Sequence, residues 1–135
     1  MIVAHSDASY SYPIATTGYV LRDENGALLE RDTQVFDTLE HDDYNSMAAE
    51  LRAMVSAARA ALDYDSEKII FYTDCNPVAD HIARDEAFPQ VGTDLHAFKS
   101  LANRFDEYHV VWLNRSENEA HEEVERVARP LRGGA

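Results

Sequence analysis

The apolar pattern along the chain changes period as it proceeds. Its first third is rich in β-formers: Met1–Tyr10 (MIVAHSDASY), Thr16–Arg22 (TTGYVLR) and Ala27–Phe36 (ALLERDTQVF) read as three strands. Ser11–Pro13 is the first turn, and Asp23-Glu24-Asn25-Gly26 the second, with Asn25-Gly26 expected to supply the positive φ values of a type I′ hairpin. Short links make the strands antiparallel neighbours. After a polar loop at His41–Asn45 the period becomes helical. Met47, Leu51, Met54, Val55, Ala58 and Leu62 fall three and four apart, predicting a helix over Ser46–Leu62. Lys68–Thr73 (KIIFYT) is a nearly all-apolar run, the mark of a central strand covered on both faces.

Asn76 and Pro77 follow as expected N-cap and first helical residue of a second helix through Val78 and Ile82. Asp85–Thr93, with Pro89 and Gly92, reads as a loop, and Asp94–Phe105 as a third helix. His109–Leu113 (HVVWL) is expected to be a second buried strand. Ser116 and Glu119 have capping-box spacing before a last helix whose stripe runs through Ala120, Val124, Val127 and Leu131. The order β-β-β-α-β-α-α-β-α predicts an α/β fold. It has a five-stranded mixed sheet, the first three strands antiparallel and the last two joining in parallel through right-handed crossovers. All 135 residues are expected to form one domain, with no linker or repeat.

Three carboxylates break this pattern. Asp7 stands inside a strand, where Asp is depleted and costly to bury unpaired. Glu50 lies between Met47 and Met54 on the helix stripe, and Asp74 at the carboxyl end of KIIFYT, where open α/β sheets place their sites. Each alone has an ordinary alternative: a turn, an Arg partner, a cap. Together they repel unless a cation sits among them. Hard oxygen ligands without a Cys or His cluster favour Mg²⁺ or Mn²⁺ over zinc.

Asp7 in SDAS, Glu50 in SMAAELRAM, Asp74 in YTDCNPV and the terminal helix with Asn-x-Ala-His resemble type 1 ribonuclease H, short archaeal-type, over almost the whole chain. The resemblance implies the ribonuclease H-like fold and hydrolysis of the RNA strand of RNA–DNA hybrids with two divalent ions. It makes Asp7 the bridging ligand, with Glu50 and Asp74 completing the cage. The family's fourth acidic residue, on the last helix, is replaced: spacing from Asn118 points to Glu122, whereas the Ala120-His121 pair points to His121. On a helical wheel Glu122 lies nearly opposite the sheet, able to pair with Arg126, and His121 at the flank, so the reading leans to His121 with Glu122 kept open. The family's basic protrusion is missing, and Asn114-Arg115 replace its mobile His; Arg115 is either a phosphate contact or a plain surface cation. His5, two residues before Asp7, shares its strand face; a core or surface role is the simpler reading. Two other classes compete: a weakened module of this fold that only binds nucleic acid or protein, and a 3′–5′ exonuclease, whose Asp-x-Glu would fall where Asp7-Ala8-Ser9 stands.

Charge adds one more expectation. Twenty-five Asp and Glu oppose twelve Lys and Arg, ten of them Arg, for a net charge of −13. Such a surface repels nucleic acid in dilute salt. Near molar salt screening shrinks to about 3 Å, so the balance fits a salt-adapted protein. One cysteine, Cys75, excludes an internal disulfide, and no secretory leader or membrane-spanning run is seen, so a cytoplasmic monomer is expected.

Overall fold

The computed structural model describes residues 1–40, 44–84 and 92–133. Five strands, β1 (Ile2–Ser11), β2 (Ile14–Asp23), β3 (Leu28–Asp37), β4 (Lys68–Thr73) and β5 (Glu107–Trp112), form one sheet in the order β3-β2-β1-β4-β5. β1 to β3 are an antiparallel meander; β4 pairs parallel with β1, and β5 parallel with β4. This is the expected mixed sheet, with β1 at its centre. Four helices accompany it: α1 (Ser46–Ala61), α2 (Asn76–Arg84), α3 (Gly92–Ala102) and α4 (Glu119–Gly133).

α1 lies against β1 and β2 on one face, with α3 packed beside it, and α4 covers β1 and β2 on the other. The main core joins Leu51, Met54, Ala57 and Ala58 of α1 to Ile2, Ala4, Leu21, Phe71 and Phe98. The second layer is thinner. Ala120, Val124 and Ala128 of α4 are buried, and a Cβ on Gly18 of β2 would come within 2.7 Å of Val124 Cγ2. Gly18 is therefore a close-approach glycine. It pairs directly with Asp7, so the α4 face is the face Asp7 shares. No described helix is long and apolar enough to cross a membrane.

Several local expectations change, the third helix among them, which runs over Gly92–Ala102. Gly26 N–H bonds to Asp23 C=O at 3.0 Å, so Glu24-Asn25 is the central pair of the hairpin turn and Gly26 follows at φ 85°. The pairing shifts register at Leu21/Arg22, as a bulged hairpin requires rather than a two-residue type I′ one. Ala79 N–H bonds to Cys75 C=O, so α2 starts one residue early, with Cys75 half in and Pro77 second. Ser116 lies in a 3-10 turn (Arg115–Glu117), and α4 is capped by Asn118, whose Oδ1 accepts Ala120 N–H at 3.0 Å. No capping box forms. Finally, β5 is an edge strand and not a buried one: Val111 and Trp112 are 41% and 49% exposed, because α4 packs on β1 and β2 and not on β5. Its apolar run reports propensity, not burial. Leu131, at the end of the predicted α4 stripe, is likewise exposed. The predicted loop Asp85–Thr93 falls largely on residues 85–91, outside the described residues, as do positions 41–43 of the earlier loop.

Candidate active site

β1 and β4 run parallel in register from Ile2↔Ile69 to His5↔Tyr72 and then part. Asp7 and Asp74 each lie two residues beyond that last pair. They meet where β1 and β4 part, Asp7 still paired with β2 and Asp74 just past the carboxyl end of β4. Asp7 is 3% exposed, with Ser6 beside it at 1%. β1 can carry a carboxylate so deep because α1 and α4 close over it from both sides.

α4 brings His121 to the same point. Its Nδ1 lies 2.9 Å from Asp7 Oδ2, and one ligand atom each from Asp7, Asp74 and His121 lie within 4.8 Å of one another. Glu122 is exposed on the outer side of the helix, and Arg126 pairs with Glu123, not with Glu122. Asn118 ties the helix down. It is 3% exposed, and besides capping α4 its Nδ2 donates to Ser6 C=O at 2.9 Å. His5 contributes as well: its Nδ1 accepts Glu119 N–H at 3.1 Å, and its ring rests on Tyr72 with centroids 5.2 Å apart. His5 is thus a buried brace at the foot of α4. Burial, opposed by Glu119, lowers its pKa and keeps the imidazole neutral and able to accept. The shared strand face hinted at His5; nothing in the sequence pattern marked Asn118 as more than a spacing reference.

Glu50 approaches from α1. That helix is capped by Asn45, whose Oδ1 accepts Ala48 N–H at 2.9 Å, so Glu50 sits in its second turn, 9% exposed. A cleft of about 220 Å³ opens beside it, lined by Asp7, Ser9, Tyr10, Glu50, His121 and Glu125 among others. Two buried carboxylate oxygens, Glu50 Oε2 and Asp74 Oδ2, have no hydrogen-bond partner among the described residues. Such atoms are costly unless something positive completes them. Burial, and then the charges of Asp7 and Asp74, push the Glu50 carboxyl well above the ordinary range. Burial, and then the Asp7 charge, push Asp74 up to about 6. Arg115 pairs loosely with Asp74, its Nε 3.8 Å from Oδ2, but its side chain is 71% exposed and it offsets little of that repulsion. Trp112 fixes the Asp74 backbone from β5, its Nε1 donating to Asp74 C=O at 3.2 Å.

The donor set suits a hard divalent cation: carboxylate oxygens from three elements, one imidazole, and two buried oxygens awaiting a partner. Metal-free, the same set is self-repelling.

A model of the reverse transcriptase-like family matches residues 5–124, a span containing Asp7, Glu50, Asp74 and His121. No curated protein matches the chain. Among solved structures, RNase H1 of the halophilic archaeon Halobacterium salinarum superposes with a TM-score of 0.81 at 19% identity, over 95% of this chain and 98% of that one. The N-terminal RNase H domain of a Mycobacterium tuberculosis protein gives 0.80 at 16%, over 96% and 97%. LC11-RNase H1, solved in complex with an RNA/DNA hybrid and isolated from compost, gives 0.80 at 15%, over 97% and 99%. At these identities the likeness is one of fold.

Proposed function

The chain belongs to the reverse transcriptase-like family and has the ribonuclease H fold, and from that premise we propose that it is a metal-dependent endoribonuclease hydrolysing the RNA strand of RNA–DNA hybrids. The observation that carries the reading is the convergence of Asp7, Asp74 and His121 within 4.8 Å, beside the unpartnered buried oxygens of Glu50 and Asp74. A binding module gains nothing from so repulsive a cluster.

Asp7, Glu50, Asp74 and His121 are the residues that would hold Mg²⁺ or Mn²⁺. When bound, a pair of such ions supplies the Lewis acidity for in-line attack of water on a phosphodiester and for charge on the leaving oxygen. Asp7 is central because it lies in both the tight cluster and the cleft and its charge bears on Glu50 and Asp74 alike. Glu50 faces the cleft from α1, in reach of a ribose whose 2′-hydroxyl distinguishes RNA from DNA. Arg115, exposed beside Asp74, meets a phosphate at the mouth of the site. His121, Asn118 and His5 set the position of α4 over β1. The binding partner is the hybrid, and the whole chain acts as one domain, as a monomer in the cytoplasm.

One observation favours a second reading, a weakened module that only binds. The His121–Asp7 hydrogen bond satisfies part of the cluster without metal. Cleavage of an end-labelled hybrid with Mg²⁺ or Mn²⁺, at low and at molar salt, separates the two. The enzyme reading expects internal cuts in the RNA strand. A folded protein that retains hybrid but cuts it in no condition belongs to the second reading.

A further inference from the structure

Trp112 is the chain's one tryptophan, and it is 49% exposed. Tryptophan is highly buried on average and is enriched where surfaces bind. Trp112 ends β5 opposite Thr73, the last residue of β4. Its indole N–H donates to the Asp74 backbone carbonyl at 3.2 Å. That bond satisfies the ring's polar atom and holds the ring beside a carboxylate of the site, with much of its apolar surface left in water.

Arg115 stands on the same lip. Its Nε lies 3.8 Å from Asp74 Oδ2, and its side chain is 71% exposed. An exposed ring and an exposed guanidinium therefore flank one carboxylate. A flat apolar surface beside a cation is how proteins hold a nucleotide without reading its base. Net charge decides why a ring is useful here. At −13, phosphate contacts work against repulsion in dilute salt and are screened in concentrated salt. Apolar contact with an indole depends on neither.

We propose that Trp112 contacts the substrate: its exposed ring receives the sugar of the RNA-strand nucleotide next to the scissile phosphate, while Arg115 takes that nucleotide's phosphate. The wide, shallow minor groove of an A-like duplex presents sugars to such a flat surface. This rests on the hybrid-cleaving reading above but is tested apart from it.

The competing role is a brace, in which Trp112 serves only through its bond to Asp74. Trp112→Phe loses that bond and keeps a ring; Trp112→Leu loses both. The measurement is binding of a labelled RNA–DNA hybrid to the whole chain in molar KCl with Mg²⁺, by stopped-flow anisotropy before turnover. Trp112→Leu should bind about tenfold more weakly or worse, and Trp112→Phe no more than about threefold. Val111→Ser, at a residue 41% exposed on the opposite face of β5, should bind like wild type. Arg115→Ala should lower the slope of log affinity against log salt by about one, and Trp112→Leu should leave it unchanged. In wild type the single tryptophan reports the contact directly: bound hybrid should move its emission to shorter wavelength and shield it from acrylamide. Circular dichroism and melting establish that each variant is folded, and the emission readout needs no variant. Emission and quenching that ignore bound hybrid overturn the proposal. So does a loss in Trp112→Phe equal to that in Trp112→Leu, which would leave only the brace, or an equal loss in Val111→Ser. If hybrid shields Trp112 but is never cut, the proposed function fails and the Trp112 contact stands. If hybrid is cut while Trp112 does not respond, the reverse holds.

Discussion

Asp7 is held where its charge is least welcome, and replacing it acts on stability and activity in opposite directions. Asp7→Asn keeps the shape and removes the central charge of the cluster. Cleavage should fall by about a thousandfold or more, the scale of removing a group that organises transition-state charge. In EDTA the same variant should melt higher than wild type, by on the order of 1–2 kcal/mol, because a carboxylate that raises its neighbours' pKa is itself a source of strain. Equal melting in EDTA would mean that the cluster is not strained. Asp74 gives the corresponding pH dependence. Its folded-state pKa is about 6, above the ordinary value near 4. The stability it contributes is therefore complete below about pH 4 and disappears as pH rises through 6. Metal-free wild type should lose roughly 1–2 kcal/mol relative to Asp74→Asn between those limits. Saturating Mg²⁺ or Mn²⁺ at neutral pH should reverse that loss, adding about 2.7 kcal/mol at a hundred times the dissociation constant. Thermal melts across pH, with and without metal, read both effects.

At the scale of elements, the site is a matter of how closely α4 can approach the sheet. Gly18 permits it: a Cβ there would sit 2.7 Å from Val124 Cγ2. Gly18→Ala should destabilise by about 1–3 kcal/mol through overpacking and lower activity by lifting His121 away from Asp7. Adding Val124→Ala should restore part of the activity; if the single variant cleaves and melts like wild type, the approach is not limiting. Strand order, helix order and the places of Asp7, Glu50 and Asp74 were legible in the sequence because each contradicts its local pattern: a carboxylate in a strand, on an apolar stripe, at the end of an all-apolar run. The helical wheel separated flank from outer face, and His121 and Glu122 lie accordingly. What stayed hidden depends on distant neighbours. The hairpin turn is decided by a register shift in β2–β3 pairing, and the α4 cap by a bond from Asn118 to the Ser6 carbonyl across the molecule. The exposure of β5 follows from α4 packing over β1 and β2 and not over β5.

At the scale of the molecule, net charge −13 sets the conditions under which such a site can meet a polyanion. Between dilute buffer and molar KCl the melting temperature should rise as self-repulsion is screened. The Michaelis constant for hybrid should stay level or fall, unlike that of a basic binder, whose affinity drops steeply with salt. A protein most stable in dilute buffer, with hybrid affinity lost on adding salt, would contradict the salt-adapted reading. The bond between Asp7 and His121 spans a sequence separation of 114, joining the first strand to the last helix. Closing so long a loop is entropically costly and is repaid only when the intervening elements are packed. On the proposed function, hybrid cleavage should therefore return during refolding in phase with the whole native signal, and no partly folded chain should cut RNA.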